Sequence, residues 1–304
     1  MLAAPYVKLF DSLCAGMLFF VPPSKVRVMV RERVADNVFV FTSDLYAQVN
    51  AGVVVGPEWS VIIDTLAYPA ESRELKDFVE NRLGSTVRYV IQTHYHADHT
   101  LGTCLFPGAI VLGHRECRSL LGTRGRQALA QAQEANRELR NLEIVLPDVV
   151  VDSGTVSLRV GKRTLELVPL PGHSPDGLGV LVEEDRVLFS GDVMMPLPYL
   201  IDGDVEAMAA SLRRIPRLKL ENLVQGHGEV ILRGEIQNAI RANLNYLTAL
   251  ERHVRRASRR RDPQAFLDEA GIEEFGKSRI LLNGLAGELH SRNLQSLYRQ
   301  IYSP

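Results

Sequence analysis

Six consecutive residues, His94-Tyr95-His96-Ala97-Asp98-His99, limit what this chain can become more than any other stretch. Four side chains able to ligate a metal fall within them. A helix would present a metal pair at i and i+4 on one face. Here the first three ligands alternate, which is the spacing of an extended or looped segment projecting every second side chain the same way. Val87 to Thr93 reads as a buried strand feeding the loop. Scattered surface histidines would satisfy the composition equally well, but three of them with an acid in one loop after a buried strand point to a metal site.

The rest of the chain repeats this arrangement. Val26 to Val30, Val38 to Thr42, Gln48 to Gly56 and Val61 to Asp64 alternate or cluster as strands in close succession, predicting an antiparallel meander that ends on an acid, Asp64. Ala70 to Leu83 carries a helical apolar face. After the histidine loop, Ala109 to Leu112 predicts a strand ending near His114, and Glu116 to Glu138 a helix. Hairpins follow around Gly161-Lys162 and Glu184-Asp185, then a helix over Val205 to Ile215 and a strand over Asn222 to Gln225. These strands run into Pro171-Gly172-His173, Ser190-Gly191-Asp192 and Gly226-His227-Gly228. Five strand-end loops therefore deliver Asp64, the histidine cluster, His173, Asp192 and His227, and ligands at the ends of strands along one sheet edge converge in space.

These motifs in this order closely resemble the metallo-β-lactamase superfamily. The resemblance covers about Val26 to Val230 and rests on H-x-H-x-D-H, the earlier strand-end Asp64, glycine-flanked His173, the Ser-Gly-Asp at Asp192 and the Gly-His-Gly at His227. It implies an α/β fold of the αβ/βα sandwich type, with two mixed β-sheets face to face, helices outside and metals at one edge. On that pattern residues 26–235 form the catalytic domain. Residues 1–25 are an N-terminal arm or helix, and residues 236–304 are a helical extension packed on the same domain. The resemblance further implies that His94, His96 and His173 hold one metal and Asp98, His99 and His227 a second. Asp192 would bridge them, and Asp64 would orient a ligand from behind. Three neutral imidazoles suit zinc, and a carboxylate shared between two cations offsets their repulsion. Two divalent ions are thus expected, zinc foremost, with manganese or iron also accepted by His and Asp donors. True lactamases of the cysteine-bearing subclass carry Cys where this chain has Asp192. The bridging acid resembles instead the branch of glyoxalase II thioesterases and lactonases. Thr100-Leu101-Gly102 departs from the Thr-Gly-Gly common after the motif.

Two cations sharing a hydroxide bring its pKa toward neutrality, roughly 7 for zinc-bound water. The expected reaction is attack of that hydroxide on the carbonyl of an ester, thioester, lactone or β-lactam-like substrate, with Asp98 and Asp192 as the catalytic carboxylates. No G-x-S-x-G elbow offers a serine alternative. Two other reactions fit the same fold: a mononuclear iron dioxygenase of persulfides, against which the complete second ligand set argues, and a phosphodiesterase, which uses similar paired metals. A non-catalytic metal-binding module would lack ligands that this chain keeps. Tyr199 and His114 are candidates for substrate contact, and Met194 and Met195 for an apolar wall.

Composition removes several classes. With 46% hydrophobic and 23% charged residues and a formal net charge of −1, the chain gives no reason to expect nucleic acid or membrane partners, only a small-molecule substrate. Cys14, Cys104 and Cys117 are scattered, with no C-x-x-C pair, which fits reduced thiols in the cytoplasm. The apolar run Leu13 to Val21 falls below the roughly 20 residues that span a bilayer. Asp11 and Pro22-Pro23 spoil a signal-peptide reading, so the run is expected to pack on the chain or on a second copy in a homodimer. Ile236, Ile240, Leu244, Leu247 and Leu250 mark a helical face near the C-terminus, followed by an arginine run balanced by acids and read as solvated surface.

Overall fold

The computed structural model describes residues 29–154 and 156–302, so the arm expected over residues 1–25 lies outside the described residues. Two sheets are stacked. The first holds β1 (Val30–Ala35), β2 (Val38–Thr42), β3 (Asn50–Val55), β4 (Trp59–Ile63), β5 (Thr86–Ile91), β6 (Ile110–His114) and β7 (Val149–Val151), side by side in chain order. Its first four strands are antiparallel and the rest parallel. The second holds β8 (Val156–Val160), β9 (Arg163–Pro169), β10 (Leu178–Val182), β11 (Val187–Phe189), β12 (Asn222–Val224) and β13 (Ile231–Leu232), ordered from β13 to β8 across the sheet. Only β11 and β12 pair in parallel there. The helices are α1 (Pro69–Asp77), α2 (Ala97–Thr100), α3 (Arg115–Leu120), α4 (Arg126–Ala135), α5 (Val205–Arg214), α6 (Ile236–Ala257), α7 (Pro263–Asp268) and α8 (Ala286–Tyr302).

The period of two along each strand sorts the layers. Val38, Val40, Val61 and Ile63 of the first sheet and Leu178, Val180, Val187 and Phe189 of the second fill the space between the sheets. The intervening Phe41 and Ile62 turn the other way and join Leu75 of α1 with Phe78 and Val79 beyond it. On the far side, Leu181, Leu188 and Leu223 belong to one apolar cluster with Met208 and Leu212 of α5, Ile240 and Leu247 of α6 and Leu294 of α8. The C-terminal helices thus share a core with the second sheet. Among the described residues, no helix is long and apolar enough to cross a membrane.

Several elements differ from the sequence reading. The strand expected over Val26 to Val30 lies almost wholly outside the described residues, and the first described strand runs from Val30 to Ala35. A turn at Asp36-Asn37, with Asn37 at φ 57°, sets Ala35 opposite Val38 and fixes the register. Its charged residues Arg31, Glu32 and Arg33 are exposed on a sheet edge. The helix expected over Glu116 to Glu138 is broken into α3 and α4 by a π-helical turn, Leu121–Gly125, where Gly122 and Gly125 weaken the regular ladder. β7 and β13, three and two residues long, have no counterpart in the sequence reading.

The two sheets are joined where the ligand loops emerge. Buried Asn50 receives Thr42 Oγ1 at 2.7 Å and donates its own side-chain amide to the carbonyls of Gln225 (2.9 Å) and Gly228 (2.8 Å). Its backbone N–H reaches Gly226 O at 2.8 Å. These bonds hold the end of β12 against the start of β3.

Candidate metal centre

β4, β5, β9, β11 and β12 all run toward the same edge: β4 and β5 are parallel, β11 and β12 are parallel, and β9 and β11 both oppose β10. Asp64 follows β4, His94 and His96 follow β5, His173 follows β9, Asp192 follows β11 and His227 follows β12. The chain is extended through His96 (φ −63°, ψ 145°) and then turns into α2, whose first turn carries Asp98 and whose last carries His99. Alternation therefore holds for His94 and His96 only, and Asp98 is aimed by helical geometry. At Gly172 (φ 142°) an added Cβ would lie 2.2 Å from Met208 Cα, so the His173 loop can press onto α5 only with glycine there.

Seven of the expected ligands come together in two groups. His94, His96, His173 and Asp192 each aim one ligand atom at a common point, with all four atoms within 4.8 Å of one another. Asp98, His99 and His227 do the same beside them. His96 Nδ1 lies 3.1 Å from His94 Nε2 and 2.9 Å from His173 Nε2, while Asp192 Oδ2 is 3.4 Å from His173 Nε2. Donors placed 2.0–2.1 Å from one tetrahedral ion sit roughly 3.3 Å apart, so this spacing fits such an ion. Asp192 Oδ1 faces His99 Nε2 at 3.2 Å, and Asp98 Oδ2 faces His227 Nε2 at 3.3 Å. His99 Nε2 and Asp192 Oδ1 are buried with no hydrogen-bond partner among the described residues. Buried polar atoms left unpaired are costly, and a cation between them removes the cost.

Every histidine of the cluster has its other ring nitrogen committed to an oxygen, which selects the tautomer that presents a lone pair inward. His173 Nδ1 donates to Tyr199 O (2.8 Å), His227 Nδ1 to Ala47 O (2.9 Å) and His99 Nδ1 to Asp64 Oδ2 (2.8 Å). Thr93 Oγ1 gives its proton to Asp64 Oδ2 (2.7 Å), so it accepts from His94 Nδ1 (3.1 Å). Thr93 N closes the set on Asp64 Oδ1 at 2.8 Å. One buried carboxylate thus orients His99 directly and His94 through a hydroxyl. Asp64 holds this position at φ 58°, a left-handed conformation that Asp tolerates better than most residues.

His96 is oriented by an acid that sequence reasoning missed. Asp202 Oδ2 lies 3.1 Å from His96 Nε2 and accepts Tyr95 OH at 2.5 Å, while Arg124 approaches its other oxygen at 3.5 Å. The turn Asp202-Gly203-Asp204 looks like ordinary loop chemistry in sequence, and only the return of the chain over the His96 loop reveals its role. Tyr46 was also missed: its ring sits edge-on to His227 with centroids 6.5 Å apart.

Charge follows burial and neighbours. Burial drives His94 well below the usual imidazole range and His173 down to about 4, keeping both neutral. For His227 and His99 burial acts the same way but is outweighed. Asp192 with Asp98 lifts His227 to about 9, and Asp192, Asp98 and Asp64 lift His99 well above its usual value. Burial would raise Asp192 and Asp98, yet His227, His99 and His173 hold Asp192 far down, while His99 and His227 hold Asp98 at about 2. Without a cation the pocket therefore keeps its carboxylates ionised and balances them with protons on His99 and His227, and a cation bound there would displace those protons.

The two candidate substrate contacts occupy different places. Tyr199 is buried, its hydroxyl lies beside the Arg292 guanidinium of α8, and its ring lies 6.2 Å from that of His173. His114 Nδ1 accepts Glu116 N at 3.1 Å and caps α3, and neither convergent group includes it.

Known proteins agree with this geometry. Residues 46–227 match the model of the metallo-beta-lactamase superfamily. The thioesterase pkgB of Emericella nidulans is 28% identical over 180 residues, covering 58% of this chain and 41% of that protein. The atrochrysone carboxyl ACP thioesterase of Claviceps purpurea is 25% identical over 240 residues, or 77% and 68% of the two chains. Among solved structures, the sec-alkylsulfatase Pisa1 from Pseudomonas sp. superposes with a TM-score of 0.71 at 15% identity, over 90% of this chain and 50% of that one, a likeness of fold.

Proposed function

Because the chain belongs to the metallo-beta-lactamase superfamily, we propose that it is a dinuclear, zinc-dependent hydrolase of an acyl substrate, with a thioester the first candidate among esters, thioesters, lactones and β-lactam-like amides. The observation that carries this reading is the pair of ligand groups meeting at Asp192, whose Oδ2 faces His173 and whose Oδ1 faces His99. The thioester preference rests on the names of two relatives, pkgB and the Claviceps enzyme. When bound, two divalent cations supply an acidified water and a positive pole for the oxyanion.

The chain's own residues do the rest. His94, His96 and His173 with Asp192 would hold one ion, and Asp98, His99 and His227 with Asp192 the other. The side chains of Asp98 and His96 are 14% and 12% exposed, against 0–5% for His99, Asp192, His173 and His227, so substrate enters past those two. Asp98 Oδ2 faces His227 Nε2 at 3.3 Å, and its second oxygen would accept a hydrogen bond from the attacking water. Met194 and Met195, two and three residues after Asp192, are buried in the apolar cluster shared with α5, α6 and α8 and would back that flank of the site. Tyr199 brings a hydroxyl, with the Arg292 guanidinium next to it, beside His173. Hydrolysis adds water across the acyl–sulfur bond: the carbonyl carbon gains the oxygen, and the sulfur leaves with a proton.

The test is a panel of acyl thioester, aryl ester, lactone, chromogenic β-lactam, phosphodiester and secondary alkyl sulfate, run with and without chelator. The expected result is fastest turnover on the thioester, loss with chelator and recovery on adding zinc. Oxygen uptake with a persulfide and no hydrolysis of any substrate would overturn the proposal.

A further inference from the structure

We infer that α8 is a clamp on the metal centre, and that Asn293 is a positioning residue for His173 and His96. The inference rests on reading those histidines as metal ligands. Asn293 is fully buried on α8, about 120 residues beyond His173 in the chain. Its Oδ1 accepts Leu200 N at 2.8 Å and its Nδ2 donates to Pro198 O at 2.7 Å, so one side-chain amide grips the backbone on both sides of Tyr199. The carbonyl between those two bonds, Tyr199 O, is the acceptor that orients His173 Nδ1.

The grip continues along one face of the helix. Ser296 Oγ reaches Ile201 O and Gln300 Nε2 reaches Gly203 O, each at 3.5 Å, and positions 293, 296 and 300 share a face at helical spacing. Between Ile201 and Gly203 stands Asp202, the acid that orients His96. The strap from Pro198 to Gly203 thus carries the orienting groups of two histidines on one side and bonds α8 on the other. Its far end is tied to the His173 loop by Asp204 N to Gly172 O at 2.9 Å.

Asn293 is itself fixed. Its Nδ2 also donates to Tyr246 OH of α6 at 3.0 Å, leaving the Tyr246 proton for His290 Nδ1 at 2.9 Å. A buried amide held at three points has one orientation. An apolar residue at this position would pack as well but would leave Leu200 N–H and Pro198 C=O unbonded, and the strap would be free to shift.

The experiment is cobalt(II) titration of the metal-stripped full chain, followed by d–d absorption and by competition with a chromogenic chelator. Wild type, Asn293→Leu and Leu297→Ala are compared. Leu297→Ala removes apolar packing from the same helix and no bond to the strap. Groups behind metal ligands typically govern about 10- to 100-fold in affinity. Asn293→Leu is expected to weaken one cobalt equivalent by that factor and to alter its d–d bands, while Leu297→Ala loses stability but stays within about twofold of wild-type affinity. Asn293→Ser, whose short hydroxyl cannot bond Leu200 N–H and Pro198 C=O together, gives the same reading should Asn293→Leu not fold. Wild-type cobalt affinity and bands in the Asn293 variant overturn the clamp alone. A wild-type chain that takes up no cobalt overturns the metal reading and the clamp with it.

Discussion

Asp64→Asn tests how the ligand histidines are aimed. Asn fits the volume of Asp and tolerates the left-handed backbone at φ 58°, so the change is confined to hydrogen-bond polarity. The amide can keep an oxygen toward Thr93 N, but then its NH2 replaces Oδ2, which now receives Thr93 Oγ1–H at 2.7 Å and His99 Nδ1–H at 2.8 Å. Donors would face donors. One relief moves the His99 proton from Nδ1 to Nε2, the atom opposite Asp192 Oδ1. The other turns the Thr93 hydroxyl to accept from the amide, which sends its proton to His94 Nδ1 and forces the His94 proton onto Nε2. Because the amide faces both donors, both reliefs are needed, and each puts a proton on a lone pair the metal needs. Since His94 and His99 belong to different groups, both ions are weakened, by about 10- to 100-fold each, or about 1.4–2.8 kcal/mol. Competition titration against a chromogenic chelator measures this directly, with circular dichroism confirming that the metal-free variant is folded. Wild-type affinity at both positions would refute the tautomer argument.

Three further outcomes are expected. Asp192→Ala should lower bound metal per chain and abolish most hydrolysis, since both groups share that carboxylate; unchanged metal content and turnover would remove its bridging role. At Gly226 an added Cβ falls 1.7 Å from Asp192 Oδ1 and 2.8 Å from Gly191 C, so Gly226→Ala should destabilise the protein by about 1–3 kcal/mol in urea unfolding and displace the carboxylate. A neutral effect on both stability and metal content would contradict that packing. Tyr199→Phe removes a buried hydroxyl that lies beside the Arg292 guanidinium, so stability should fall by no more than about 1.5 kcal/mol. A raised KM in the folded variant would identify that hydroxyl as a substrate contact, and unchanged kinetics would assign it to packing.

The convergence of the His and Asp cluster was legible in the sequence because most of its residues stand at the end of an apolar run, and strand ends on one edge must converge. The sandwich was legible for a related reason: Val38 and Val40 alternate with Phe39 and Phe41, so one pattern specifies two buried faces. Local rules failed where neighbours decide. β1 carries Arg31, Glu32 and Arg33 and reads as surface, because an edge strand needs only one partner. β7 is too short to show a period. Asp98 follows an alternating pair, yet the turn into α2 aims it. Asp202 and Asn293 were invisible for the strongest reason: their partners lie about 90 to 110 residues away, and Asp and Asn in such settings ordinarily read as loop and helix surface.

The central claim is two ions on one chain, and elemental analysis of protein purified without added metal tests it most directly. About two zinc ions per chain are predicted, lost together on dialysis against chelator with the hydrolytic activity. About one iron per chain, with no second ion taken up when zinc is supplied, would contradict the dinuclear hydrolase and favour oxygen chemistry instead.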